Sequence, residues 1–70
     1  MNRVDFIAQN EGSLVLLRPM NHAAKQWLID NVGTPADEVQ WFGGALVVEP
    51  RYLNDLVDGA RADGLNTRRF

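Results

Sequence analysis

The stretch from Pro50 to Leu65 constrains this chain most. Leu53, Leu56, Val57 and Ala60 recur at the i, i+3, i+4, i+7 spacing that lines one stripe of an α-helix. Pro50 suits the first turn, where its missing N–H has no partner to lose, and Glu49 puts negative charge beside the positive end of the helix. Gly64 supplies the left-handed stop, with Leu65 placed to pack back on Ala60. Such a helix must lay its stripe on something. Fully burying Leu53, Leu56 and Val57 contributes roughly 1.5 to 3 kcal/mol each before entropy is counted.

The surface it needs stands directly before it. Ala45 to Val48 reads ALVV, four apolar residues in a row, as in a strand buried on both faces inside a sheet. Residues 39–42 are read as a loop carrying aromatics ahead of a Gly43-Gly44 bend, the alternative being a further strand around that turn. Upstream, Val4, Phe6 and Ala8 alternate with more polar neighbours, and Leu14 to Leu17 form a second apolar run beyond Asn10-Glu11-Gly12-Ser13. This predicts a hairpin with strands at about residues 3–9 and 13–18. Pro19 ends the second strand, and Asn21 caps a helix whose Ala24, Trp27, Leu28 and Val32 share one face, with Gly33 at its end. Thr34-Pro35-Ala36-Asp37-Glu38 is a polar loop.

The order is therefore β-β-α-β-α. It predicts a small single-domain α+β fold over residues 1–70, with a three-stranded sheet, four-stranded if residues 39–42 pair, and both helices on one face. Residues 66–70 are expected to fray. Seventy residues bury only about 60% of the surface exposed by the unfolded chain, so stability is expected to be modest. Without cysteine, neither disulfides nor a thiolate zinc site reinforce so small a core, and a partner subunit is the remaining support. No apolar run reaches the length of a signal peptide core or a membrane span, so no membrane association is expected and the expected location is the cytoplasm.

Charge disfavours nucleic acid as partner. Residues 1–35 hold three basic and three acidic side chains, and residues 36–70 hold four and six, with Arg68 and Arg69 at the extreme end. A phosphate backbone needs a basic stripe, and none is visible. A nucleic-acid regulator would have to rely on the scattered Arg18, Arg51, Arg68 and Arg69.

The residue types of catalysis are present without their arrangements. His22 is the single histidine, at the start of a helix where the dipole disfavours its charged form, and it is read as a surface residue. Ser13 lies in a turn with no activating base in view. Asp37 and Glu38 are adjacent loop carboxylates, the only basis for a metal-enzyme reading, yet they lack the alternating ligand spacing of a calcium loop. Asp55 and Asp58 stand at i,i+4 from Arg51 and i,i+3 to Arg61, which predicts a salt-bridged outer helix face shared with Asp63. Gly43-Gly44 lacks the lysine and the strand-loop-helix setting of a phosphate loop. No enzyme activity, metal or cofactor is expected.

Trp41, Phe42, Arg51 and Tyr52 are the candidate binding residues. Trp, Tyr and Arg dominate binding hot spots, and adjacent Trp41 and Phe42 point to opposite sides of an extended segment. The competing reading has Trp41 and Tyr52 capping the core. Gly59, costly inside a helix by roughly 1 kcal/mol, marks either a close approach or a tolerant exposed site.

SLVLLRPMNHAAKQWLIDNV and QWFGGALVVEPRYLNDLVDGARADGL together resemble a set of short uncharacterised bacterial proteins from phage or plasmid neighbourhoods, with no established activity. The resemblance covers about two thirds of the chain and implies a compact α+β domain connected with mobile elements. The expected function is a non-enzymatic protein-interaction module, self-associating through an aromatic patch or a strand edge. A specific form is a phage-type inhibitor presenting its acidic face to a basic host or defence protein.

Overall fold

A computed structural model describes residues 3–33 and 39–69 of the chain. Five strands and two helices follow in the order β1 (Phe6–Asn10), β2 (Val15–Pro19), α1 (His22–Asn31), β3 (Trp41–Phe42), β4 (Ala45–Val48), α2 (Pro50–Ala62) and β5 (Thr67–Arg69). They build one sheet in the order β3-β4-β2-β1-β5, so the expected three or four strands become five.

Handedness explains where the helices lie. β3 runs parallel to β2, because both are antiparallel to β4, while β5 and β4 both run with β1. The β2-α1-β3 crossover moves toward one edge of the sheet, and β4-α2-β5 moves toward the other with opposite strand sense. If both crossovers take the usual right-handed form, both helices fall on the same face. The core agrees: Ala24 and Leu28 of α1 and Leu53, Val57 and Ala60 of α2 form one cluster with Phe6, Ala8, Val15, Leu17, Leu46 and Val48. Register places all six strand residues on a single side of the sheet.

Local chemistry accounts for the elements. In the β1–β2 turn, Asn10 Oδ1 accepts the Gly12 N–H at 2.8 Å and the Glu11 N–H reaches the Leu14 carbonyl at 2.9 Å. Asn21 Oδ1 accepts from the Ala24 N–H at 2.8 Å, capping α1 as its sequence predicts. At the end of α2 the Leu65 N–H donates to the Ala60 carbonyl at 2.8 Å, and Leu65 is buried. β4 is interior, with β2 and β3 as neighbours.

Two expectations about strands need correction. Residues 41 and 42 are a strand rather than a loop, because Gly43 (φ 54°) and Gly44 (φ 79°) supply the paired positive φ of a two-residue hairpin turn. The chain end, expected to fray, is β5 over Thr67–Arg69, parallel to β1. Asp5 is the physical reason. It is fully buried, and its carboxylate accepts from the Asn66 N–H (2.9 Å), the Asn21 side-chain amide (2.9 Å) and Arg3 Nε (2.7 Å). The Asn66 carbonyl in turn accepts the Asp5 and Phe6 N–H groups, at 2.9 and 3.0 Å. One carboxylate thus ties the lead-in to β1, the α1 cap and the lead-in to β5. Burial raises the pKa of Asp5, but the hydrogen bonds from Asn66 and Asn21 and the charge of Arg3 together outweigh it and hold the group below its ordinary value.

The outer face of α2 also departs from expectation. Arg51 Nε pairs with Glu49 at 3.0 Å instead of Asp55, and among the described residues the only ion pairs are this one and Arg3–Asp5. Asp63 accepts the Trp27 indole N–H at 2.6 Å. The same ring meets Phe6 edge-on at 6.1 Å between centroids and lies 3.5 Å from where a Cβ on Gly59 would sit. Gly59 therefore faces α1, not a strand or a second subunit.

Candidate interaction surface

The four candidate binding residues do not form one patch. Trp41 sits opposite Leu46 on the helix-covered side, half-buried against the core, and its indole N–H reaches the Gly33 carbonyl at 3.3 Å. Phe42, one residue on, points to the other side and is 68% exposed. Arg51 and Tyr52 open α2, with the guanidinium 4.8 Å from the centre of the Tyr52 ring. Tyr52 borders a groove of 600 Å³ shared with Val32, Val39, Leu46 and Leu56. The hot-spot residues divide among the core, the open face and the head of a helix.

A different surface emerges from the register. The side of the sheet away from the helices carries Ile7 and the exposed Gln9 on β1, Leu16 and Arg18 on β2, Ala45 and Val47 on β4, Phe42 on β3 and Arg68 on β5. Ile7, Leu16 and Val47 are half-buried by their neighbours alone, and Leu14 at the start of the face is 39% exposed. Arg18 Nη1 donates to the Gly43 carbonyl at 2.7 Å, which carries its stem from β2 toward the β3–β4 turn. Ala45 lies in that path and is fully buried, yet it is not part of the core cluster. Its cover therefore comes from the sheet's outer side.

Strands of five, five, two, four and three residues, at about 3.3 Å rise per residue and about 4.8 Å spacing, make a flat area on the order of 300 Å². No paired position on this face holds a carboxylate, whereas Asp30, Asp55 and Asp58 stand exposed on the helices.

Ile7, Leu16 and Val47 were not among the candidate residues, and Arg18 was named only for the nucleic-acid reading. Their signal was present in Leu14 to Leu17 and Ala45 to Val48, where consecutive apolar residues demand cover on both faces while two helices can cover only one. The basic residues of the nucleic-acid reading stay apart. Arg18 and Arg68 are on the open face, Arg69 is held by Asn54 at 2.8 Å, and Arg51 is with Glu49 and Tyr52. Asp37 and Glu38 lie outside the described residues. Among the described residues, no group of three or more potential metal ligands is gathered, and no helix is long and apolar enough to cross a membrane. Comparison with family models, curated proteins and solved structures gives no match.

Proposed function

We propose that this chain is a non-enzymatic protein-interaction module that pairs with a second copy of itself through the open face of its sheet. The observation that supports this reading is the apolar pair of cross-strand neighbours Leu16 and Val47, with Ile7 and the exposed Phe42 on the same face, which no element of the described chain covers. Strand order adds to it. β2 is the middle strand, so a two-fold axis along it lays β3 of one copy over β5 of the other. Phe42 then meets the partner's Arg68, and Leu16 meets the partner's Leu16, which joins an apolar centre to a cation–π contact at each edge. About 300 Å² per copy is well below the roughly 800 Å² of a standard interface, so pairing is weak and concentration-dependent rather than obligate. The connection with mobile elements belongs to this proposal and rests on the resemblance of residues 13–32 and 40–65.

Sedimentation velocity from about 10 μM to 1 mM tests it. The wild type is expected to shift toward dimer with concentration, and both Phe42→Ser and Leu16→Lys to remain monomeric with unchanged circular dichroism. A wild-type monomer throughout the range, or a dimer indifferent to both substitutions, overturns the reading.

A second reading has one observation in its favour. Arg51 turns to Glu49 and Arg61 makes no ion pair, so Asp55 and Asp58 are left exposed on α2 with no ion pair among the described residues. They would present carboxylates to a basic partner protein. Association with such a partner that survives Leu16→Lys but weakens in Asp55→Asn/Asp58→Asn, and with rising salt, would support this second surface.

A further inference from the structure

A cleft of 430 Å³ opens where the C-terminal half of α2 meets the start of β5, on the opposite side of the protein edge from Phe42. Val57 and Leu65 form its apolar part, and Arg3, Arg61, Arg68 and Thr67 contribute the rest of its character. Among the described residues, no acidic side chain lines it. Gathering three guanidinium-bearing residues around one cavity is unfavourable in isolation, and more conspicuous in a chain whose formal net charge is -2.

Nearby acids do not cancel the charge. Arg3 meets Asp5 at 2.7 Å through Nε, and its side chain is 67% exposed, so a guanidinium with five N–H donors is not wholly taken up by that pair. Arg61 and Arg68 have no ion pair among the described residues. Thr67 is an independent observation. Its hydroxyl is buried and makes no hydrogen bond, the sole such side-chain atom among the described residues. Leaving a buried hydroxyl unpaired costs roughly 1 to 3 kcal/mol, a cost that an acceptor entering the cleft removes.

We infer that this cleft is a binding site for a small phosphate-class anion, held by Arg61 and the guanidinium of Arg3, with Arg68 at its rim and the Thr67 hydroxyl as a fourth donor. Planar guanidinium groups match phosphate oxygens bidentately, and the volume falls in the range of small-ligand sites. The floor is preorganised: Asn66 is fixed by its N–H to Asp5 and by its side-chain amide to the Arg3 carbonyl at 3.1 Å. Arg61 and Thr67 lie on the helix-covered side, away from the proposed self-association face; of the residues named for the cleft, Arg68 alone is shared with that face.

NMR titration with inorganic phosphate, with glycerol 3-phosphate, and with chloride at matched ionic strength tests the inference. Saturable shifts of the Asn66, Thr67 and Arg68 amides by phosphate at roughly millimolar concentration are expected, with none from chloride. Tighter binding of glycerol 3-phosphate would identify a phosphomonoester as the ligand, and equal binding the free anion. Arg61→Gln is expected to weaken binding about tenfold without altering the fold. Thr67→Val separates ligand recognition from structure: a purely structural hydroxyl predicts unchanged phosphate affinity, whereas the proposed donor predicts weaker binding even if the variant is more stable. Shifts that chloride reproduces, or affinity untouched by both substitutions, overturn the site.

Discussion

Replacing Asp5 by Asn removes one charge and almost no volume, and the structure gives the consequence. Oδ1 accepts from Arg3 Nε and the Asn21 amide, and Oδ2 accepts from the Asn66 N–H. Whichever way the new amide is turned, its NH₂ faces at least one donor. An unsatisfied buried donor costs about 1 to 3 kcal/mol, and a hydrogen bond to a charged acceptor contributes about 1.5 to 3. Arg3 is 67% exposed, so its share is discounted for solvent screening. A loss of about 3 kcal/mol follows, against a total of about 4 to 10 kcal/mol expected for a domain of this length. Thermal denaturation followed by circular dichroism should show the midpoint lower by about 12 to 24 °C. The pH dependence has a definite sign. A carboxylate whose folded pKa lies below its ordinary 3.8 contributes stability that is fully present above that value and lost as pH falls through the folded pKa. The gap between wild type and Asp5→Asn should therefore be widest near neutrality and narrow in acid. A variant within about 0.5 kcal/mol of wild type, or a gap constant down to pH 2, would refute the hub.

Gly59→Ala is expected to stabilise the protein by about 0.5 to 1 kcal/mol in urea denaturation, because the new Cβ meets the Trp27 ring at 3.5 Å, an ordinary contact, while helix propensity improves. A loss of stability would mean that the two helices cannot yield at that point. In the β3–β4 turn, Gly44→Ala is expected to cost about 1 kcal/mol or more, since φ is 79°, whereas Gly43→Asn at φ 54° should be nearly neutral. Equal effects from the two changes would argue against the paired positive-φ turn.

Both helices, their caps and the interior place of β4 were legible because periodicity and end signals agreed in Asn21, Pro50 and Gly64. β5 was not, because Thr67-Arg68-Arg69 has no apolar pattern; its order comes from Asn66 meeting Asp5, a contact sixty-one positions apart in sequence. Trp41 and Phe42 show a similar limit. Adjacency told that they would part, but only the pairing of Trp41 with Leu46 decided which ring went to the core. Ion pairs on α2 failed as a prediction because Glu49 offers Arg51 a closer carboxylate ahead of the helix.

Two routes to self-association were open in the sequence, an aromatic patch around Trp41 and Tyr52 and a strand edge; the structure parts the first and adds an apolar sheet face. An edge invites pairing when it is long, flat and uncharged. Here one edge is β3, with two residues, and the other is β5, with three, of which two are arginines. Neither offers the run of free backbone groups that a ladder between copies would need. The face is less well defended. Arg18 straps only the Ala45 corner, leaving Leu16 and Val47 as paired neighbours near its centre. Covering them within the chain would require a third layer, which neither of the two crossovers supplies when both turn with the same hand. A domain of this size thus completes one core and leaves a second surface that the described chain does not cover, so under the proposed self-association Leu16, rather than either edge, is the position where a single charge should separate folding from association.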